Sequence, residues 1–159
     1  MLKRGLESEF RGMVIPKQPI TCSYGSIDIR HHILRHADFN LTDMLKEYVK
    51  QGRALEDKYG CDVFYAAPVP VEFEDRRLPK TGYFKGTPFF GSRADRLDLT
   101  LRFIEQLKEL SGDKVVGPPD FWYEMDGKKY AEAYMENGSS VHIAPPYYRR
   151  NGWGPACLV

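Results

Sequence analysis

Seven residues, Cys61-Asp62-Val63-Phe64-Tyr65-Ala66-Ala67, stand between two stretches of helical periodicity, and this limits the fold more than any other feature of the chain. The run is nearly continuous in apolar residues. A strand covered on both faces needs that pattern, and such strands belong to parallel sheets. Before it, Leu41, Met44, Leu45, Tyr48, Val49 and Leu55 recur at helical spacing, Asn40 or Thr42 is suited to cap the start, and Gly60 ends the pattern. A helix is therefore expected over residues 40–58. After the run, Ser92 is suited to cap a second helix over 93–110, with Leu97, Leu101, Ile104 and Leu107 as its stripe and Gly112 behind it.

The remaining elements fit this frame. Residues 2–12 read as a short helix, and Pro16 and Pro19 mark a turn. Ile20-Thr21-Cys22-Ser23-Tyr24 is β-prone and stopped by Gly25. Residues 68–90, rich in Pro, Gly and charge, read as a long loop. Lys114-Val115-Val116 is a short strand, and residues 128–136 a short helix. Alternation of strands and helices predicts an α/β fold with a parallel sheet and helices on both faces. Ligands in such sheets bind beyond the carboxyl ends of the strands.

Length and composition point to a single domain, residues 1–159, with a genuine core. A net charge of +1, with both signs interspersed, argues against electrostatic reading of nucleic acid. No apolar run is long enough to span a bilayer. Met1-Leu2-Lys3-Arg4-Gly5 is followed by no apolar segment of the kind a signal peptide carries. Cys22, Cys61 and Cys157 are odd in number and widely spaced, which suits reduced thiols and a cytoplasmic location.

Two short stretches carry the candidate chemistry. In the first, Gly25 permits a sharp turn after a strand, and Asp28 and Arg30 follow within reach of a charge-assisted pair. That pair either shapes a site or closes a turn. His32 and His36 have the i, i+4 spacing of a zinc motif, with Asp28 and Asp38 nearby, yet the Glu of that motif is missing because Ile33 follows His32. No metal and no cofactor is expected. The second stretch is Ser139-Ser140-Val141-His142-Ile143, ahead of Pro145 and a Tyr-rich tail. No serine lies in Gly-Asp-Ser or in Gly-x-Ser-x-Gly. Cys22, in mid-strand, is expected to be buried and a poor thiolate. Phe121-Trp122-Tyr123, Tyr147-Tyr148 and Trp153 read as exposed aromatics, suited to sugar stacking or to a protein interface.

Together the stretches Tyr24-Gly25-Ser26-Ile27-Asp28-Ile29-Arg30-His31-His32-Ile33 and Ser139-Ser140-Val141-His142-Ile143 resemble the middle and last blocks of the SGNH (GDSL-type) hydrolases. Gly91-Ser92-Arg93-Ala94-Asp95-Arg96 is similar to the Arg-bearing start of that family's penultimate helix, and the resemblance extends from about Pro19 to Tyr148. It implies a three-layer, flavodoxin-like parallel sheet and an esterase or deacylase acting on an acylated substrate, with sugars a common class. His142 would be the general base, with Ser139 where the family has the Asp that orients it. Gly25, Asp28, Arg30 and His32 would position substrate and oxyanion.

Beyond Ser139, the sequence departs from the family in four places. Ser26 stands for a usual Glu, Ile29 for Cys, and Ile27 for an oxyanion-donating Asn, while the Gly-Asp-Ser block is absent. Three explanations stand side by side. A partner chain supplies the nucleophile, or the chain is a non-catalytic binding or assembly relative, or Met1 is internal to a longer frame. A chain cut this way exposes a parallel strand edge and an apolar helix face, so a protein partner or self-association is expected.

Overall fold

The computed structural model describes residues 17–70, 78, 80–83, 85–136, 142–144 and 147. The expected helix over 2–12 lies outside these residues. Three strands, β1 (Ile20–Cys22), β2 (Val63–Ala66) and β3 (Val115–Val116), form a parallel sheet in the order β1-β2-β3. The register pairs Thr21 with Phe64, Cys22 with Tyr65, and Tyr65 with Val115. The chain is therefore mixed α/β with a parallel sheet, as the alternation predicts.

The two long helices follow their sequence signals closely. Helix α2 (Leu41–Tyr59) starts at Asn40, whose side chain accepts from the Asp43 amide at 3.1 Å, and ends at Gly60 in the left-handed region. Helix α3 (Arg93–Ser111) starts at a reciprocal capping box. The Asp95 amide donates to Ser92 Oγ at 3.1 Å, and the Ser92 amide donates to Asp95 Oδ2 at 2.9 Å. Such caps contribute about 1 kcal/mol each. The Ser92 hydroxyl, donating to Asp95 Oδ2 at 2.7 Å, and then the Ser92 amide hold the Asp95 carboxyl below its ordinary value.

Helices α2 and α3 pack on each other and on the sheet. Cys22, Val63 and Tyr65 lie in a core with Leu45, Tyr48, Phe103 and Leu107 from the helices. Thr21, Phe64 and Ala66 alternate with these and point to the opposite face, where they are half-buried. A pair of polar ties stitches the layer. Thr42 Oγ1 donates to Gln106 Oε1 at 2.9 Å, and Arg53 donates to the Leu110 carbonyl at 3.1 Å. At the amino end of β2, Glu56 accepts from the Val63 amide at 2.9 Å and pairs with Lys114.

Three expectations are corrected. Residues 26–31, expected as a turn after the first strand, form helix α1 (Ser26–His31), followed by a 3-10 turn at Ile33–Arg35. The buried side of α3 is Arg96, Leu99, Thr100, Phe103 and Leu107, whereas Leu101 of the expected stripe is exposed. Trp122 and Tyr123, read as exposed, are buried; of that trio only Phe121 faces solvent. Trp122 joins Tyr130, Ala131, Met135 and Ile143 in a second apolar cluster around α4 (Phe121–Glu124) and α5 (Gly127–Tyr134). Among the described residues, no helix is long and apolar enough to cross a membrane.

Candidate functional site

Strand β1 delivers the first block to the carboxyl edge of the sheet. There Gly25 takes a φ of 100°, and a Cβ on it would stand 2.6 Å from the Phe103 ring. Both the conformation and the space require glycine. The Ile29 amide donates to the Gly25 carbonyl at 2.8 Å, and α1 begins.

Helix α1 sorts its residues by face. Ile27 is 55% exposed, Asp28 is half-buried, and Ile29, Arg30 and His31 are buried. Two residues apart on a helix, Asp28 and Arg30 do not face each other, so the pair expected from the sequence is not the arrangement that helix spacing favours. Arg30 turns inward. Its Nη1 donates to the Ser26 carbonyl at 2.9 Å, and its guanidinium lies over the Phe89 ring, 5.8 Å from the centroid. The Arg96 guanidinium lies over the same ring at 5.1 Å, and the His31 ring meets Phe89 edge-on at 5.1 Å. Arg96 also donates to the Gly91 carbonyl, while the Phe90 amide donates to the Arg30 carbonyl at 3.0 Å. Two buried guanidinium groups thus bind residues 89–91 between α1 and the start of α3.

His32 is half-buried and ends α1; its amide donates to the Asp28 carbonyl at 2.9 Å. The helix breaks there and His36 is extended, so the i, i+4 spacing does not place His32 and His36 on one helical face. Among the described residues, no group of three or more His, Cys, Asp or Glu is placed to hold a metal ion.

The second block sits on the other apolar cluster. Met135 and Ile143 form an antiparallel bridge, the Glu136 amide donates to the His142 carbonyl at 3.0 Å, and the Ala144 amide donates to the Tyr134 carbonyl at 2.8 Å. His142 is exposed, with its backbone fixed between these bonds. Ser139 lies outside the described residues. Two contacts tie this cluster to the sheet and to α3. The Tyr123 hydroxyl donates to the Pro68 carbonyl at 2.8 Å, and Arg93 donates to the Met125 carbonyl at 3.0 Å.

Of the nucleophile candidates among the described residues, Ser23 is exposed and Ser26 half-buried, whereas Ser92, Ser111 and Cys22 are occupied or shielded. Ser92 serves its capping box, and the Ser111 hydroxyl donates to the Leu107 carbonyl at 2.6 Å. Cys22 is fully buried, and burial pushes its thiol up to about 12. Sequence reasoning left Phe89 and Arg96 without a role. Arg96 lay in plain view within the quoted Gly91–Arg96 segment, whereas nothing local marks Phe89.

Comparison with protein-family models, with curated proteins and with solved structures finds no match to this chain. The SGNH resemblance therefore rests on the motifs themselves.

Proposed function

We propose that the chain is the larger part of an SGNH-like acyl-ester hydrolase whose nucleophile is supplied by a partner chain. The observation that carries this reading is the setting of His142. Its backbone is fixed by the bridge between Met135 and Ile143, and the residue is exposed, as a base that takes a proton from another chain must be. A general base needs both a fixed position and access to the proton it takes. In this reading His142 accepts the serine proton as the hydroxyl attacks the ester carbonyl, and returns it to the leaving alcohol. Ser139 orients the imidazole. A neutral hydroxyl stabilises imidazolium less than a carboxylate does, so turnover is slower than in a standard triad. Gly25, Asp28, Arg30 and His32 shape the carboxyl edge, Arg30 from beneath through Phe89. An acylated sugar is the substrate class that the family resemblance suggests.

A second reading, a non-catalytic binding or assembly subunit, is favoured by two side chains. Ile27 is exposed where the family places an oxyanion donor, and Arg30 is spent inside the fold.

The test is intact mass after treatment with a fluorophosphonate serine-hydrolase probe, on the chain alone and with any copurifying partner. His142→Ala serves as the control. Labelling confined to the partner, and lost with His142→Ala, supports the split hydrolase. Labelling of this chain alone overturns the partner-supplied nucleophile. Absence of labelling on folded material with its partner present moves the assignment to the binding reading.

A further inference from the structure

Helix α3 carries two apolar stripes. One is buried against the sheet and α2. The other, Leu101 and Ile104, lies on the opposite side; Leu101 is 47% exposed and Ile104 is half-buried. This outer stripe walls a groove of about 420 Å³ whose far side is Val115, Gly117, Pro118 and Tyr123. Strand β3 pairs with β2 on one side, and among the described residues no strand lies on its other side. Exposed apolar side chains beside an unpaired strand edge mark an association surface.

The charges along the stripe select the occupant. Asp98 and Arg102 form an i, i+4 pair at 3.7 Å, and Glu105 and Lys108 follow on the same exposed side. If two copies of α3 meet antiparallel about a two-fold axis, Leu101 faces the partner's Ile104. Arg102 then faces the partner's Glu105, and Asp98 the partner's Lys108. Each contact occurs twice, which makes the surface self-complementary. We propose that this face of α3, with the neighbouring groove against β3, is the interface of a homodimer. The proposal does not depend on the hydrolase reading.

The experiment is light scattering on the full chain during size exclusion, over a dilution series. A dimer that dissociates on dilution is expected. Leu101→Asp and Arg102→Glu should each shift it to monomer, the second by setting carboxylates opposite one another. Adding Glu105→Arg to Arg102→Glu should restore the dimer, because the opposed charges are again of opposite sign. Far-UV circular dichroism checks that each variant remains folded; the three positions are exposed, so folding should be retained. A monomeric wild type at its highest soluble concentration overturns the proposal. So does a dimer unmoved by either single variant, or a charge pair without rescue.

Discussion

The Tyr65 side chain crosses from β2 to lie directly over Gly52 in α2, so that a Cβ on Gly52 would stand 2.1 Å from the phenol oxygen. The hydroxyl donates to the Val49 carbonyl at 3.2 Å, and the ring meets Tyr48 edge-on at 5.1 Å. Glycine in mid-helix costs about 1 kcal/mol relative to alanine; here it makes room for the strand.

Gly52→Ala should therefore destabilise the fold despite its better helix propensity. Overpacking costs about 1–3 kcal/mol, and loss of the Tyr65 hydrogen bond adds about 1 kcal/mol. The expected net loss in urea unfolding is about 2 kcal/mol, after the propensity gain. Tyr65→Phe in the same chain should recover only part of it, because the ring carbon beneath the hydroxyl is itself 2.8 Å from that Cβ. A Gly52→Ala variant as stable as wild type would contradict the close approach.

Arg96 is expected to be as sensitive as a core residue. It is 1% exposed, lies over Phe89 and donates to the Gly91 carbonyl. Arg96→Ala should cost about 2–3 kcal/mol through lost packing and the lost hydrogen bond to the Gly91 carbonyl. Arg96→Lys should recover less than half of that, since an ammonium neither stacks on the ring nor presents a planar fork. Chemical denaturation reads both; equal stability of the lysine variant and wild type would rule out the guanidinium-specific role.

Stability should hold steady up to about pH 9 and fall above it. Burial raises the Cys22 thiol from 9.0 to about 12, and the Tyr65 phenol from 10.0 to about 12. Above pH 9 the unfolded chain releases protons that the folded chain retains, so alkali favours unfolding. The contribution of Cys22 is complete below pH 9 and is lost as pH rises towards 12, with a slope of at most about 1.4 kcal/mol per pH unit for one group. Cys22→Ala should flatten the fall between these limits. Consistent with the same burial, iodoacetamide should leave Cys22 unmodified in the native protein and modify it in urea. Rapid native modification at pH 8 would show that the thiol is accessible.

Much of the framework was legible in the chain. Asn40, Ser92 and Gly60 bound the long helices where capping chemistry requires, and the apolar run at 61–67 holds β2. Helix α1 was not legible, because six residues are too few to show a period. Its order comes from distant partners: Phe103 beneath Gly25, and Phe89 beside Arg30 and His31. The phase of α3 was misread for a related reason. Its buried side includes Arg96 and Thr100, which a hydrophobic pattern excludes. Thr100 is accommodated by donating to the Arg96 carbonyl at 2.7 Å, and Arg96 by a ring seven residues upstream. For the candidate site, residue types could be named from the sequence. Which of them face inward was set by tertiary packing that no local pattern encodes.

Strand order in this sheet equals chain order, and that has a bearing on how the protein is made. Each strand is laid down on the edge left by the previous one, with a single long helix closing each step, so no strand must be threaded between two that are already joined. Residues 20–66 can thus dock as one unit while the ribosome is still completing α3 and β3, and among the described strands growth proceeds in one direction.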